Sequence, residues 1–393
     1  SLTGAPTNHL TTVTTDGFSL SGDGTLGSPL SAVSQDLWIT GNSLFISLGG
    51  ANTSISTNAP TLNQVLTWNG ANWLAQNPGS GWNLDGNTGT NGSIDFIGTT
   101  DNMPLNFRVN NQTGGRIDPI LNNTFYGYLS GNSAGPASSG NSSIGAYSLS
   151  NITSGVNNVA NGYQALNANT TGYGNTASGT SSLKSNTIGN NNTAMGKDVL
   201  FSNISGVENT ASGWLAMYNN TTGSANTASG VYSLVSNTIG DQNVASGWQS
   251  MNNNISGSHN TASGWQSLYS NLSGNENTAN GYSALSGNTT GFSNVAIGTQ
   301  ALYLNVSGND NVAIGGNTGV VNTTGINNTF IGSGADATTG MSNLTNATAI
   351  GFNSKVGASN SLVLGNNANV GIGVTAPSAK LHLDGTLRLD NLN

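Results

Sequence analysis

The sequence predicts an all-β protein, a parallel β-solenoid or β-roll with 17-residue coils, preceded by small β-rich N-terminal modules. Three observations predict it. Asn recurs at 141, 158, 175, 192, 209, 226, 243, 260, 277, 294, 311 and 328, always at a step of 17. Gly follows four residues later each time, from Gly145 to Gly332, and a second Gly comes ten residues after the first, from Gly155 to Gly325. An apolar column keeps the same step: Leu149, Leu166, Leu183, Leu200, Met217, Leu234, Met251, Leu268, Leu285 and Leu302. A fixed internal period of this length is the mark of stacked repeats, each resting on its neighbours.

Composition alone is compatible with a polar disordered tract, because only 6% of the 393 residues are charged and 56 are Gly. Columns locked in register over half the chain exclude that reading. Composition also excludes several partners. Seven Lys and Arg against a net charge of −8 leave no basic groove for nucleic acid. There is no Cys, hence no disulfide, thiol chemistry or Cys-based zinc site. No apolar run approaches the ~20 residues of a membrane helix, so no membrane insertion is expected. Ser1 opens the chain without a Met or a secretory apolar region, as in a mature or trimmed piece.

Each repeat reads Asn-Thr/Val-Ala-x-Gly, then a short stretch ending in Leu, then Asn-Thr-x-Gly. Seventeen residues with two Gly-marked corners predict two short strands joined by two turns, with Gly in the φ > 0 positions of the corners. The Ala and Leu slots should face inward, since only a confined space holds the same small or apolar residue coil after coil. The Asn at the start of each repeat, and a second column from Asn169 and Asn186 to Asn305 and Asn322, should form amide ladders along the axis. Twelve such coils give a rod of ~58 Å. Its interior is thin, which favours self-association.

Around residues 127–332, which carry the repeat, lie four further segments. Residues 333–373 contain Ala347–Gly351 and Ser361–Gly365, separated by 14, followed by Asn369–Gly373. Residues 374–393 form a C-terminal strand cap, with Leu, His and Arg alternating in the Pro377–Gly385 stretch and the Thr-Leu-Arg-Leu that follows it. Residues 80–126 form a small β unit around Asp95–Asp101 and Pro104–Val109. Residues 1–79 are β-rich modules with hairpins at Asp16–Gly24 and Val65–Trp73, and Gln76–Gly81 reads as a linker.

These motifs carry resemblances. Asn294-Val-Ala-Ile-Gly298, Asn311-Val-Ala-Ile-Gly315 and the 14-residue step resemble head repeats of trimeric autotransporter adhesins, which are left-handed parallel β-rolls. The stretch Val370–Gly385 is similar to phage tail-fibre shafts just before a self-cleaving intramolecular chaperone. Leu66–Trp73 and Phe96–Leu105 resemble fibre proteins of Bacteroidota and their phages. The main step departs from the adhesin pattern, being 17 rather than 14. The resemblance implies a homotrimeric fibre, extracellular on a virion tail or a cell surface. It would bind a host-surface glycan or protein, and its N-terminal region would attach to a tail or baseplate component. A bacterial surface adhesin and a structural subunit of an extracellular filament are the alternatives. An ice-binding solenoid is more distant, because its flat Thr-x-Thr arrays are replaced here by Thr-Ala-Ser.

No catalytic constellation, metal site or cofactor is expected. His9, His259 and His382 fall in different modules. Glu208, Asp241, Glu276 and Asp310 recur near one corner, but the Gly-Gly-x-Gly-x-Asp calcium pattern is missing, so they read as solvated charges. The one surface feature above background is aromatic: Tyr163, Trp214, Trp248, Trp265 and Tyr282 occupy the slot after the first Gly. Lys197, Thr180 and Thr299 share that slot, which therefore should lie outside the coil. The column is either a ligand platform or a packing contact.

Overall fold

The computed structural model describes residue 86, residues 88–388 and the backbone of eight strands between residues 12 and 76. The chain forms two compact units, Ser1–Gly98 and Thr99–Asn393. In the first, β1 (Thr12–Thr15), β2 (Phe18–Ser21), β3 (Ser31–Ala32), β4 (Gln35–Thr40), β5 (Ser43–Leu48) and β6 (Ala51–Ser54) pair antiparallel in sequence order. β7 (Val65–Trp68) and β8 (Trp73–Gln76) form a separate hairpin, placed where the sequence reading expects one. The expected linker, beyond Gln76, lies outside the described residues.

The second unit begins with an antiparallel meander of β9 (Leu105–Val109), β10 (Gln112–Asp118) and β11 (Asn123–Tyr126). Asp95–Asp101, expected to be part of a β unit, is instead bend and irregular chain. From β11 onward the pairing is parallel. Fifteen strands stack through fourteen steps, ending at Leu362–Leu364, and there is no helix among the described residues. Eleven steps are 17 residues; the first is 18 and the last two are 19 and 14. The antiparallel hairpin at the start covers one end of this stack, as terminal caps of repeat proteins do.

Burial within a coil follows the columns. In each three-residue strand from Ser142–Ile144 to Thr348–Ile350 the middle residue, usually Ala, is buried, and its neighbours point outward. The Leu and Met column has no exposed surface from Leu149 to Leu302. The second half of each 17-residue coil departs from expectation, for it contains no strand. The physical reason is parity. Ala165 and Leu166 are adjacent and both buried, as are Val199 and Leu200, or Ser250 and Met251. A pleated strand points successive side chains to opposite faces. Burying both requires a different backbone, and the chain supplies it by placing the Leu column at φ of 46° to 52°, in the left-handed region.

That conformation satisfies its own polar groups. Around Leu166, the amides of Gln164, Leu166 and Ala168 bond to the carbonyls of Ala146, Ser182 and Lys184 in neighbouring coils. The intervening amides of Ala165, Asn167 and Asn169 close tight turns onto Gly162, Gln164 and Leu166. No buried amide in this segment is left without a partner, which the low polarity of the interior demands.

Two Asn ladders hold the stack. In the first, Asn243 Nδ2 donates to Asn226 Oδ1 at 3.1 Å, and the Asn243 amide N–H donates to the same oxygen at 2.9 Å. In the second, Asn254 Nδ2 donates to Asn237 Oδ1 at 2.7 Å. The ladders meet at a shared acceptor, since Asn243 and Asn254 both donate to the Gly257 carbonyl, at 2.8 and 2.9 Å. The same clasp recurs at Gly172, Gly189 and onward. Here the second Gly column differs from expectation. Gly162, in the first column, has φ 140° as a corner requires, but Gly172 is not left-handed. It is Gly for want of space: a Cβ there would sit 2.5 Å from the Gly189 carbonyl oxygen of the next coil.

The first ladder begins one rung before the 17-residue series, at Asn123, and ends at Asn328, whose Oδ1 accepts the Ala347 amide. Directly after the Ala run the slot holds Phe330, and before it Ser143 and then Phe125; all three are buried. Each ring lies against a Gly standing in the Leu slot, Gly131 for Phe125 and Gly319 for Phe330. The core thus exchanges an Ala and a Leu for a Phe and a Gly, which roughly conserves volume.

Around and beyond Gly332 a second strand does appear in two successive coils. Asp336–Ala337 pairs in parallel with Lys355–Val356. Asp336 is buried; its carboxylate accepts the Val321 and Ala337 amides and lies 4.0 Å from Lys355 Nζ. Desolvation raises its pKa above the ordinary carboxylate value, against the pull of those donors and of Lys355. The C-terminal strand is Leu381–Leu383, paired in parallel with Val370–Ile372, whereas Thr386–Arg388, expected to extend it, forms no strand.

Candidate functional site

The aromatic slot lies where the chain leaves each strand through the first Gly. Its residues project outward: Tyr163, Trp214, Trp248, Trp265 and Tyr282 are between 41% and 48% exposed. The corner dictates this, because the next two residues but one turn inward to fill the core, while the slot itself sits on the outer rim.

Three of the five come together. Trp248 and Trp265 stack with centroids 5.4 Å apart and planes at 25°, and Trp265 and Tyr282 follow at 4.7 Å and 31°. The spacing tracks the coil rise of ~4.8 Å. Rings this close overlap in an offset manner, because coplanar neighbours would need wider separation. The row therefore shows solvent a series of ring edges and partial faces, like overlapping slats. Beside it Gln266 Nε2 donates to Gln249 Oε1 at 2.9 Å, which sets amide groups along one margin.

Trp214 and Tyr163 are not part of that row. Val231 interrupts between Trp214 and Trp248, and Trp214 instead packs on Tyr232 at 5.1 Å and 59°. Thr180 and Lys197 separate Tyr163, which meets Tyr147 edge-on at 6.0 Å. A second aromatic group escaped the sequence reading. Phe201 and Tyr218 stack at 5.0 Å and 16°, and Lys184 Nζ lies 5.2 Å from the Phe201 ring centroid. Their common step of 17, through Lys184, Phe201 and Tyr218, was the signal available.

The titratable residues do not assemble. Glu208, Glu276 and Asp310 share one left-handed corner slot with Ala225 and His259, while Asp241 stands one slot earlier and accepts the Ser224 amide at 2.7 Å. His382, in the middle of the C-terminal strand, has its Nδ1 3.4 Å from Ser378 Oγ in the bend before that strand. His9 lies outside the described residues. Among the described residues, no group of three or more His, Cys, Asp or Glu is placed to hold a metal ion. No helix among them is long and apolar enough to cross a membrane. A scan against protein-family models finds no match, and a search of curated proteins finds none.

Proposed function

We propose that this chain is part of a homotrimeric tail fibre of a phage or phage-like injection system, serving reach and recognition of a host-surface receptor. The observation that carries the reading is the outward row Trp248–Trp265–Tyr282 on a scaffold whose coils between Asn158 and Asn322 are each fixed to the next by two amide ladders. A rigid rod that repeats one small section presents the same surface many times. Edges and partial faces of aromatic rings beside amides suit a sugar or a peptide. The N-terminal β modules would serve attachment. The role is non-catalytic, resting on presentation of a surface outside the cell.

A bacterial surface adhesin is the second reading. The 14-residue step from Thr348 to Leu362, with two strands in the coil, favours it. Binding of the purified protein to intact bacteria, to non-bacterial tissue and matrix, and to glycan arrays tests both. Capture by bacterial cells supports the tail fibre, and capture only by non-bacterial tissue or matrix supports the adhesin. Replacing Trp248→Ala together with Trp265→Ala is expected to weaken binding at least tenfold while leaving the assembly intact. Unchanged binding would reduce the aromatic row to packing.

A further inference from the structure

The outward face of the long sheet changes character along the axis. From Thr176-Ala-Ser178 to Thr278-Ala-Asn280 the outward residues are Thr, Ser and Asn, with Met195 and Val244 as the exceptions. In the next five rungs they are Val295 and Ile297, Val312 and Ile314, Thr329 and Ile331, Thr348 and Ile350, Leu362 and Leu364. The strands pair so that Ile297, Ile314, Ile331, Ile350 and Leu364 stand one above another in a single file. All five are between 36% and 43% exposed, and Leu362 is 61% exposed. None of the ten positions carries a charge.

We infer that this aliphatic face is the surface on which a second copy of the chain docks. The inference rests on the homotrimeric reading and gives it a location. The strip exposes on the order of 500 Å² of apolar surface, at the upper end of what a monomer leaves uncovered. Three such strips lining a three-fold axis, each meeting both neighbours, remove about 1,500 Å² from water in total, above the lower bound of about 1,000 Å² for a specific interface. A second copy also has the right period. Its own rungs recur at the same ~4.8 Å rise, so side chains interdigitate at every step, whereas a partner of another period meets only a few. The protein's net charge of −8 does not oppose the contact, because the nearby acids Glu276 and Asp310 occupy the left-handed corner slot and not the face. The Thr and Ser rungs before Val295 carry no such drive and remain wet.

Light scattering on the full chain across a dilution series tests this. It compares the unaltered protein with Ile314→Asp plus Ile331→Asp, with Ile314→Ser plus Ile331→Ser, and with Ser229→Asp plus Ser246→Asp as a control on the hydroxyl face. The expected result is an oligomer of the 39.6 kDa chain that either Ile pair weakens at least tenfold and the Ser229/Ser246 pair leaves within twofold. The Ser substitutions install the residue that the middle coils already carry in that slot, so they separate lost association from lost folding. An oligomer equally stable in both Ile variants would overturn the inference while leaving the oligomeric reading standing. A monomeric unaltered protein at micromolar concentration would overturn both.

Discussion

In the coil that starts at Asn243, Ser250 and Met251 are consecutive and both buried, and Met251 has φ 51°. In the coil that starts at Ala347, Ser354 is buried, Lys355 is exposed and Val356 is buried. The second pattern alternates, and Lys355–Val356 is accordingly a strand; the first does not, and its chain is a series of left-handed turns. The shorter coil lacks three residues, and they are the ones around Asn254 that carry the second amide ladder. That ladder ends at Asn322, and the left-handed apolar column ends at Leu302. The left-handed slot itself persists at Gly319, in the coil of Asn322, and at the other end it starts one coil before the ladder, where Ile152 stands in the ladder slot beside Leu149. A 17-residue coil is thus a 14-residue coil with an insertion that buries a second consecutive side chain and adds a second ladder to hold the altered backbone.

The sharpest way to break this contrast is at its boundary, where Phe330 and Gly319 replace the Ala and Leu of the middle coils. Phe330→Ala should cost about 3–5 kcal/mol, as removal of a buried aromatic does. Gly319→Leu alone should also destabilise, since a Cβ at Gly319 would lie 2.8 Å from the Phe330 ring. The double variant restores the middle-coil pairing and should recover most of the loss. Urea unfolding of the three variants gives the coupling. Additive losses would show that the two positions do not share one volume.

A smaller loss is expected from the ladders. Asn243→Ala removes the acceptor of the Asn260 amide and of one Asn260 Nδ2 bond, leaving a buried N–H unpaired at a cost of about 2–3 kcal/mol. Asn254→Ala orphans side-chain atoms alone, because the Gly257 carbonyl keeps its bond from Asn243, and should cost roughly half as much. Ala347 already stands in the first-ladder slot of the short coil, where the next coil has no Asn to serve. Unfolding midpoints that rank Asn254→Ala below Asn243→Ala would make the second ladder the stronger one.

What was legible in the sequence was burial. Identical residues at a fixed step reveal which slots are confined, so the Ala and Leu columns, the Asn ladders and the outward aromatic slot could all be placed. Backbone conformation was not legible. Leu carries no preference for φ > 0, so Leu166 looked like a strand residue, and only the joint burial of Ala165 and Leu166 shows otherwise. Gly172 looked like a corner because Gly at a turn and Gly under a neighbouring carbonyl have the same letter. Asn123 was hidden by an 18-residue step. In the aromatic slot the row could be listed but not divided, because Val231 and Thr180 break it in space only when rings must touch.

The smallest effect concerns the corner slot just before each ladder Asn. In the middle coils it holds Glu208, Ala225, Gln242, His259, Glu276, Ser293 and Asp310, all at φ between 53° and 60°. In the last coils it holds Asn327, Asn346 and Asn360 at 51° to 58°. Asn tolerates the left-handed region because its short amide can bond locally; Ala has no such offset and bears the steric cost, roughly 1 kcal/mol. Gly removes that cost but loses more entropy on folding, about 0.5 kcal/mol or more. Ala225→Gly should therefore stabilise by a few tenths of a kcal/mol, and Ala225→Asn by about 0.5–1 kcal/mol. The reverse change, Asn346→Ala, should destabilise by a similar amount, part of it from the lost Asn346 Nδ2 to Asn360 Oδ1 bond of 3.1 Å. Unfolding midpoints for the three variants decide the matter. If both Ala225 substitutions lower the midpoint while Asn346→Ala still destabilises, then the Asn of the last coils are there for their mutual amide bond, and the left-handed corner costs the middle coils nothing that side-chain choice must offset.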